Sequence, residues 1–443
     1  MKGINAVSLK KRLLSGSIWS LLFKVLGAVL GLSVYALLAR MLTTEDFGIY
    51  FLVVSVITFM ATIVQAGMSK TALRLIAESL SLANHERATH ALRTSLRFII
   101  LVGLSVMLLW MIGVNDWVSV GMFHSSQMAS LGWLTACWFV LLAVLRYFSE
   151  VFRGLQDFFR SSLFSGTATS AISVSLFGIY YLGHRQFDLF TAVQMTLIAV
   201  FLAAMVAGVM LHRRFALIGE ARLVPVSELW PIAWPILITN LFVFVSNQAD
   251  LWILGMLVSK DEVAIYGAVL RTVLLITLAP LIINSVIQPM IVELYSKGEK
   301  QKLERLLGTT AIVTFVPSII LLVAVIFEGD QFLALVFGQQ YADGALVLAI
   351  LCAGRTVSVF TGSCGQCLML AGHQKVLMNT TILFASFSII SALMTVKEFG
   401  SPAVATCFAT GMTLQNITHA LLVRKRMGIS TFANLKWLTK KNS

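Results

Sequence analysis

Long apolar segments constrain this chain more than any other feature of its sequence. A helix needs about 20 mostly apolar residues to cross the hydrocarbon core of a bilayer. Twelve such runs follow one another along the 443 residues, and they predict an all-α integral membrane protein with about 12 transmembrane helices. Their approximate limits are 15–39, 47–68, 98–114, 129–152, 162–183, 188–211, 229–258, 263–290, 307–327, 344–370, 376–396 and 401–423.

The few charged residues report the orientation of these spans. Lys and Arg number 33 against 20 Asp and Glu, and charged residues make up only 12% of the chain, far below the roughly 25% of a soluble domain. Alternate connections hold 25 of the basic residues on the side of both termini and four on the other side, Arg40, Arg185, Lys260 and Lys397. The positive-inside rule then places both termini in the cytoplasm. The excess of Lys and Arg is therefore explained by the membrane topology. No nucleic-acid partner is expected.

A weak internal repeat divides the chain into halves of six spans. LTTEDFGIY at 42–50 matches LVSKDEVAIY at 257–266, and GLQ at 154–156 matches GHQ at 372–374, each at an equivalent point of the topology. An even number of spans makes the halves parallel repeats, which predicts two six-helix lobes around a central cavity. The expected organisation is an N-terminal lobe at 1–212, a cytoplasmic linker at 213–228, a C-terminal lobe at 229–423 and a basic cytoplasmic tail at 424–443.

Span four carries three ionisable residues on one helical face: Arg146, Glu150 and Arg153. Charges within a membrane are costly, so each is a candidate functional residue. We expect Arg146 and Glu150 to neutralise each other, which leaves Arg153 as a surplus cation near the cytoplasmic end. The alternative is a structural ion pair beside an arginine that extends to the interface.

Lys24 in span one and Arg355 in span ten lie near mid-bilayer without an acidic residue in their own helix. Each requires a partner, a water-filled cavity or an anionic ligand. Arginine binds phosphate oxygens through two donors and lysine acts as a point charge, so these cations suit a phosphate-bearing substrate. A packing role is the alternative for both.

Spans seven and eight add a second group of polar residues. Asp250 and Arg271 are expected at similar depth, where they could form a structural salt bridge. Asn240 and Asn247 lie seven residues apart on one face, suited either to sugar hydroxyls or to hydrogen bonds between helices. Asp250 and Glu150 are the intramembrane carboxylates available to couple a proton or a sodium ion.

No enzyme signature competes with a transport function. The chain has no GxxxxGK[ST] loop and no HExxH motif, the patterns of nucleotide and zinc-protease sites. Its one CxxC, from Cys364 to Cys367, has no second pair or neighbouring histidines, so no metal site is expected. We therefore expect a transporter without cofactors, driven by a gradient or the membrane potential.

Four segments carry a resemblance to a known family. They are LLSGSIWSLLFKVLGAVLGLSVYALLARMLTTEDFGIY at 13–50, AGMSKTALRLIAE at 66–78, DLWILGMLVSKDEVAIYGAVLR at 250–271 and LVFGQQYADGALVLAIL at 335–351. Together they resemble the Wzx-type polysaccharide flippases of the multidrug/oligosaccharidyl-lipid/polysaccharide (MOP) exporter superfamily. One departure is that Thr43 and Thr44 stand where family members often place proline.

The resemblance implies a multi-pass protein of the bacterial inner membrane. It would carry an undecaprenyl-pyrophosphate-linked oligosaccharide, such as an O-antigen unit of lipopolysaccharide, to the periplasmic leaflet by alternating access. A polysaccharide polymerase and a chain-length regulator are the protein partners it suggests. The candidate substrate-binding residues are Lys24, Arg146, Arg153, Arg271 and Arg355, which would bind the pyrophosphate, with Asn240 and Asn247.

Three alternatives remain at the level of sequence. A cation-coupled multidrug exporter of the same superfamily would favour acidic groups in the first lobe, where span one instead carries Lys24. A membrane polymerase or ligase would need a large outer loop with arginines, and the outer connections 115–128 and 328–343 contain no Lys or Arg. A lipid II flippase for peptidoglycan is not separated from a polysaccharide flippase by these features.

Overall fold

The computed structural model describes residues 6–82, 84–183, 187–215 and 225–433, and every regular element in these ranges is a helix. Residues 216–224 of the predicted linker, 434–443 of the predicted tail and Arg185 lie outside the described residues. The first helices are α1 (Ala6–Met41), α2 (Thr44–Gln65), α3 (Met68–Ser81), α4 (His85–Leu109), α5 (Ser126–Ser130), α6 (Gly132–Gly154), α7 (Phe158–Ser162), α8 (Ala168–Gly183) and α9 (Leu189–Phe215). The others are α10 (Val226–Leu257), α11 (Lys260–Ser296), α12 (Lys300–Phe337), α13 (Ala345–Phe360), α14 (Cys364–Leu370) and α15 (Gln374–Met427).

Contacts between residues divide the chain into two compact units, 1–248 and 249–443, and the boundary falls inside α10. We refer to them as unit 1 and unit 2. In unit 1 the buried side chains concentrate on α2 and α6. Large apolar side chains such as Leu101, Ile112 and Leu182 are exposed on the surface of this unit, as expected of helices that face lipid tails.

Eleven helical segments of the described chain are long and apolar enough to cross a membrane, and one of them is the 54-residue α15. Gly400 interrupts α15 with a non-helical backbone, φ 60° and ψ −148°. The two parts then run antiparallel, because Thr395 contacts Cys407 and Thr380 contacts His419. α15 therefore contributes two spans, and the prediction of about 12 transmembrane helices is confirmed.

The first sequence match of the repeat has the same local structure in both units. Thr43 precedes α2 with φ −65° and ψ 159°, and its Oγ1 accepts the amide of Asp46 at 3.1 Å. Ser259 precedes α11 with φ −67° and ψ 155°, and its Oγ accepts the amide of Glu262 at 3.3 Å. Both residues are N-caps, which satisfy an amide that the first helical turn leaves unbonded.

The tyrosine that ends each matched segment is also equivalent. Tyr50 and Tyr266 are both fully buried, seven residues after their caps. The Tyr50 hydroxyl hydrogen-bonds Thr196 at 3.1 Å, and the Tyr266 hydroxyl donates to Asp250 at 3.1 Å. A buried hydroxyl needs such a partner, so each tyrosine ties its own helix to a second one.

The second sequence match is out of register with the structure by two residues. The turn after α6 is closed by the Asp157 amide on the Phe152 carbonyl, and the turn after α14 by the His373 amide on the Leu368 carbonyl, both at 2.9 Å. The left-handed residue is Gln156 in one turn and Gly372 in the other. The turns are therefore equivalent, but GLQ and GHQ do not superpose letter by letter. Gly154 of the first triplet is helical, whereas Gly372 of the second adopts the positive φ that glycine tolerates best.

Candidate functional site

Unit 1 contains a polar cavity of about 170 Å³ at the C-terminal ends of α2 and α6. Three cations line it, Lys70, Arg146 and Arg153, together with one carboxylate, Glu150. Hydroxyl and amide groups complete the polar lining, among them Gln65, Ser69, Ser149, Ser165 and Asn240. The cavity wall thus carries a net charge of +2, which suits an anion.

Gly67 lets α10 reach this cavity. It has φ +74° in the turn between α2 and α3, and a Cβ on it would lie 2.0 Å from the carbonyl oxygen of Ala233. Only glycine allows so close an approach of two backbones in this conformation. Seven residues further along α10, or about two turns, Asn240 accepts a hydrogen bond from the Lys70 Nζ at 3.2 Å.

The charged face of α6 is present as predicted, but its pairing is not. Glu150 Oε1 accepts a hydrogen bond from Arg153 Nη1 at 3.2 Å. Arg146 forms no ion pair within the described ranges, so the expectation that Arg146 neutralises Glu150 is wrong. Positions three and four residues apart are both neighbours on a helix, and spacing alone does not choose between them. The free cation is therefore Arg146, placed deeper in α6 than Arg153.

Glu150 has a second unusual feature. Its Oε2 atom is buried and has no hydrogen-bond partner within the described part of the chain. A buried acceptor without a partner is costly, so this oxygen is available to a proton, an ion or a donor of the ligand.

Lys24 lies on α1 outside the lining of the cavity but close to it. It is partly buried, and Arg153 repels it electrostatically. The Thr167 hydroxyl donates to the Phe23 carbonyl at 3.2 Å, which ties α1 beside Lys24 to the segment that precedes α8. Two cations held near each other are stabilised by an anion between or beside them.

Unit 2 contains a larger cavity of about 320 Å³, formed by the second half of α11, the first half of α12, the end of α13, α14 and the end of α15. Arg355 is the ionisable side chain among the described residues that line it. The rest of its polar wall is neutral and includes Asn284, Ser358, Ser363, Gln366 and Asn416.

Asp250 lies in unit 2 within electrostatic range of Arg355. Its carboxylate is buried and accepts hydrogen bonds from the Tyr266 hydroxyl at 3.1 Å and the Leu251 amide at 2.8 Å. Arg355 interacts with it electrostatically. The predicted bridge to Arg271 is not among its contacts, because Tyr266 is the residue of α11 that reaches the carboxylate. Arg355 thus has an acidic neighbour on another helix.

The two asparagines of α10 do not act as one stripe. Asn240 lines the unit 1 cavity, whereas Asn247 is exposed and donates its Nδ2 hydrogen to the Val243 carbonyl of its own helix at 2.8 Å. Arg271 also lies outside the lining of both cavities.

Lys70 is the main residue that sequence reasoning missed. It was counted among the basic residues of the cytoplasmic connection 69–97, and the structure places it in the cavity wall. The sequence feature that could have indicated this placement is the position of Lys70 in AGMSKTALRLIAE, directly after the Gly67 turn that ends span two. Among the described residues no group of three His, Cys, Asp or Glu could hold a metal ion.

Comparison with known proteins now gives these cavities a context. The model of the polysaccharide biosynthesis protein family matches residues 13–295. The chain belongs to this family. A second model, MatE, matches residues 235–396. The resemblance inferred from the sequence is thereby confirmed at the level of the polysaccharide biosynthesis family.

The chain is similar to one curated relative, the probable low-salt glycan biosynthesis flippase Agl15 of Haloferax volcanii. It is 20% identical over 195 residues, which is 43% of this chain and 40% of the relative. The match therefore spans about two fifths of the relative's length.

Solved structures show the same fold. An inward-facing multidrug resistance MATE family transporter of the MOP superfamily has a TM-score of 0.75 at 15% identity, over 93% of this chain and 98% of that one. A MOP superfamily transporter from Pyrococcus furiosus, described as having a binding pocket of reversed polarity, has a TM-score of 0.67 at 16% identity, over 97% and 99%. Together with the helical segments long and apolar enough to cross a membrane, this likeness makes the chain a multi-pass membrane protein with the fold of these transporters.

Proposed function

We propose that this transporter is a flippase for an undecaprenyl-pyrophosphate-linked oligosaccharide, moving it from the cytoplasmic to the periplasmic leaflet of a bacterial inner membrane. The observation that carries the proposal is the convergence of Lys70, Arg146 and Arg153 on one cavity of unit 1, with a single carboxylate. Arginine and lysine donors are the groups that bind phosphate oxygens. Lys24 adds a further positive charge beside them.

The position of the cavity agrees with the direction of transport. If both termini are cytoplasmic, the C-terminal ends of α2 and α6 face the cytoplasm, where the cargo would be loaded. Outward movement of an anion is favoured by an inside-negative potential, by about 2.3 kcal/mol per charge per 100 mV. A pyrophosphate cargo therefore draws part of its driving force from its own charge.

The cavity charge also bears on the alternatives. A cation-coupled multidrug exporter would hold its cationic drugs poorly in a wall with three cations and one carboxylate. A peptidoglycan lipid II flippase carries the same pyrophosphate and stays open as an alternative. An O-antigen unit of lipopolysaccharide is the cargo we favour, with a polymerase and a chain-length regulator as downstream partners. If a proton or sodium ion is coupled, Glu150 is the better candidate of the two carboxylates, since Asp250 has its oxygens occupied by Tyr266 and Leu251.

The test measures pyrophosphate binding and glycan flipping by the purified full chain in lipid vesicles. Loss of one charge-assisted hydrogen bond costs about 1.5–3 kcal/mol, so Arg146→Gln should weaken pyrophosphate binding roughly 10- to 150-fold. Lys70→Gln should act in the same direction. Arg74→Gln is the matched control, because Arg74 lies one turn further along α3 and is exposed. Wild-type binding and flipping by Arg146→Gln would refute the assignment.

A further inference from the structure

We propose that the cavity of unit 2 is a binding pocket for an acidic sugar, a hexuronic-acid residue of the glycan cargo, whose carboxylate is bound by Arg355. The inference rests on the proposed function, because it assigns the sugar end of the same cargo.

The size of the cavity suits a small organic ligand. Its volume of about 320 Å³ lies at the lower end of the range for small-molecule pockets, which begins near 300 Å³. The cavity of unit 1, at about 170 Å³, is half as large. A sugar ring therefore has its better site in unit 2.

The neutral part of the wall suits sugar hydroxyls. Asn284, Gln366 and Asn416 place three side-chain amides around the cavity, and each amide offers both donors and an acceptor. The Ser363 hydroxyl donates to Asn284 Oδ1 at 2.5 Å, which fixes the orientation of that amide. Gln366 Oε1 is buried without a hydrogen-bond partner within the described part of the chain. A ligand hydroxyl would satisfy it.

The charge of the wall selects a single carboxylate. Arg355 is the ionisable group among the described residues of this lining, so the cavity itself offers one positive charge. Asp250 interacts with Arg355 electrostatically, but its oxygens are bonded to Tyr266 and Leu251, and it forms no ion pair with the guanidinium. The forked donors of arginine match a carboxylate in bidentate geometry. Pyrophosphate carries more charge and is better matched by the three cations of unit 1.

The same polar wall would not favour a cationic or purely apolar ligand. A cation would face Arg355 without a carboxylate in the lining. An apolar ligand would leave Gln366 Oε1 without a hydrogen-bond partner, which is unfavourable. An uncharged sugar would use the amides but gain no charge-assisted hydrogen bond from Arg355, so we expect it to bind more weakly than an acidic one.

The experiment measures binding of glucuronate, glucose, acetate and inorganic pyrophosphate to the full chain in lipid nanodiscs, by ligand-observed NMR at millimolar concentrations. Wild-type protein should bind glucuronate at least 10-fold more tightly than glucose. Arg355→Gln should reduce the affinity for glucuronate to that for glucose. Lys397→Gln is the charge-matched control, since Lys397 is an exposed cation of the same unit, and it should bind as wild type does.

Two further variants keep the test decisive. Gln366→Leu keeps the positive charge of Arg355 and should weaken the binding of glucose and of glucuronate by the same factor. It therefore tests the pocket even if Arg355→Gln fails to fold. Arg146→Gln should lose pyrophosphate binding and keep glucuronate binding. A glucuronate affinity unchanged in Arg355→Gln would overturn the inference, and so would acetate that binds as tightly as glucuronate, which indicates a general anion site.

Failure of the inference and failure of the proposed function give different results. If pyrophosphate does not bind the wild-type protein, or binds equally to Arg146→Gln, the proposed function fails while the glucuronate result stands on its own. If Arg355→Gln abolishes pyrophosphate binding and Arg146→Gln does not, the cavity of unit 2 is the phosphate site and the sugar assignment is wrong.

Discussion

Gly67→Ala should perturb the unit 1 cavity without altering any of its charged residues. The added Cβ would lie 2.0 Å from the carbonyl oxygen of Ala233, whereas carbon–oxygen contacts in proteins are normally about 3.3 Å or more. α10 would therefore have to retreat by about 1.3 Å. If Asn240 moves with the helix, its hydrogen bond to Lys70, now 3.2 Å, is lost.

The loss of folding free energy in Gly67→Ala has two contributions that can be measured separately. A left-handed backbone costs a residue with a Cβ about 1–2 kcal/mol, and forced repacking adds about 1–3 kcal/mol. Gly298→Ala is the matched control, because Gly298 has φ +71° and nothing within 4 Å of the added Cβ. The control should show the backbone cost alone. Gly67→Ala should show both, and it should also weaken pyrophosphate binding.

Thermal unfolding of the detergent-solubilised protein, followed by tryptophan fluorescence, measures the difference. For a unit of about this size, 1 kcal/mol shifts the melting temperature by about 2–4 °C, so Gly67→Ala should melt several degrees below Gly298→Ala. Equal melting temperatures, together with unchanged pyrophosphate binding in Gly67→Ala, would refute the close approach of α10 to the turn at Gly67.

Two further predictions concern buried contacts within the units. Tyr266→Phe should lower the free energy of unfolding by about 1.5–3 kcal/mol, because it removes a hydrogen-bond donor from a buried carboxylate. Tyr50→Phe should lower it by only about 0.5–1.5 kcal/mol, since its partner Thr196 keeps a hydrogen bond to a helix carbonyl at 2.8 Å. Equal losses in the free energy of unfolding of the two variants, measured by chemical denaturation, would contradict this order. Gly411→Ala would place a methyl group 1.9 Å from the Ser388 hydroxyl oxygen and should lower the melting temperature. Adding Ser388→Gly should restore most of the loss, and a double variant no more stable than Gly411→Ala would show that the clash is elsewhere.

The parts of the candidate site that sequence could predict are those on a single helix. The spacing of Arg146, Glu150 and Arg153 was enough to place them on one face of α6, because helical periodicity is local. The choice of ion pair on α6 was wrong, because two neighbours compete for Glu150 and side-chain packing decides between them.

Contacts between helices could not be predicted in the same way. Arg355 was recognised as a cation without an acidic residue in its own helix, but its neighbour Asp250 lies on α10, about a hundred residues earlier. Lys70 meets Asn240 because Gly67 lets α10 come close to the start of α3. Nothing in the hydropathy of α3 signals that approach.

The sequence by itself determined the helical class, the spans and the predicted orientation of this protein, since each depends on the length, apolar character and flanking charge of one segment at a time. Tertiary structure alone decided which charges share a cavity. That outcome depends on how closely two backbones approach and in which register the helices pack, and in unit 1 Gly67 permits the close approach of α10 that brings Asn240 to Lys70.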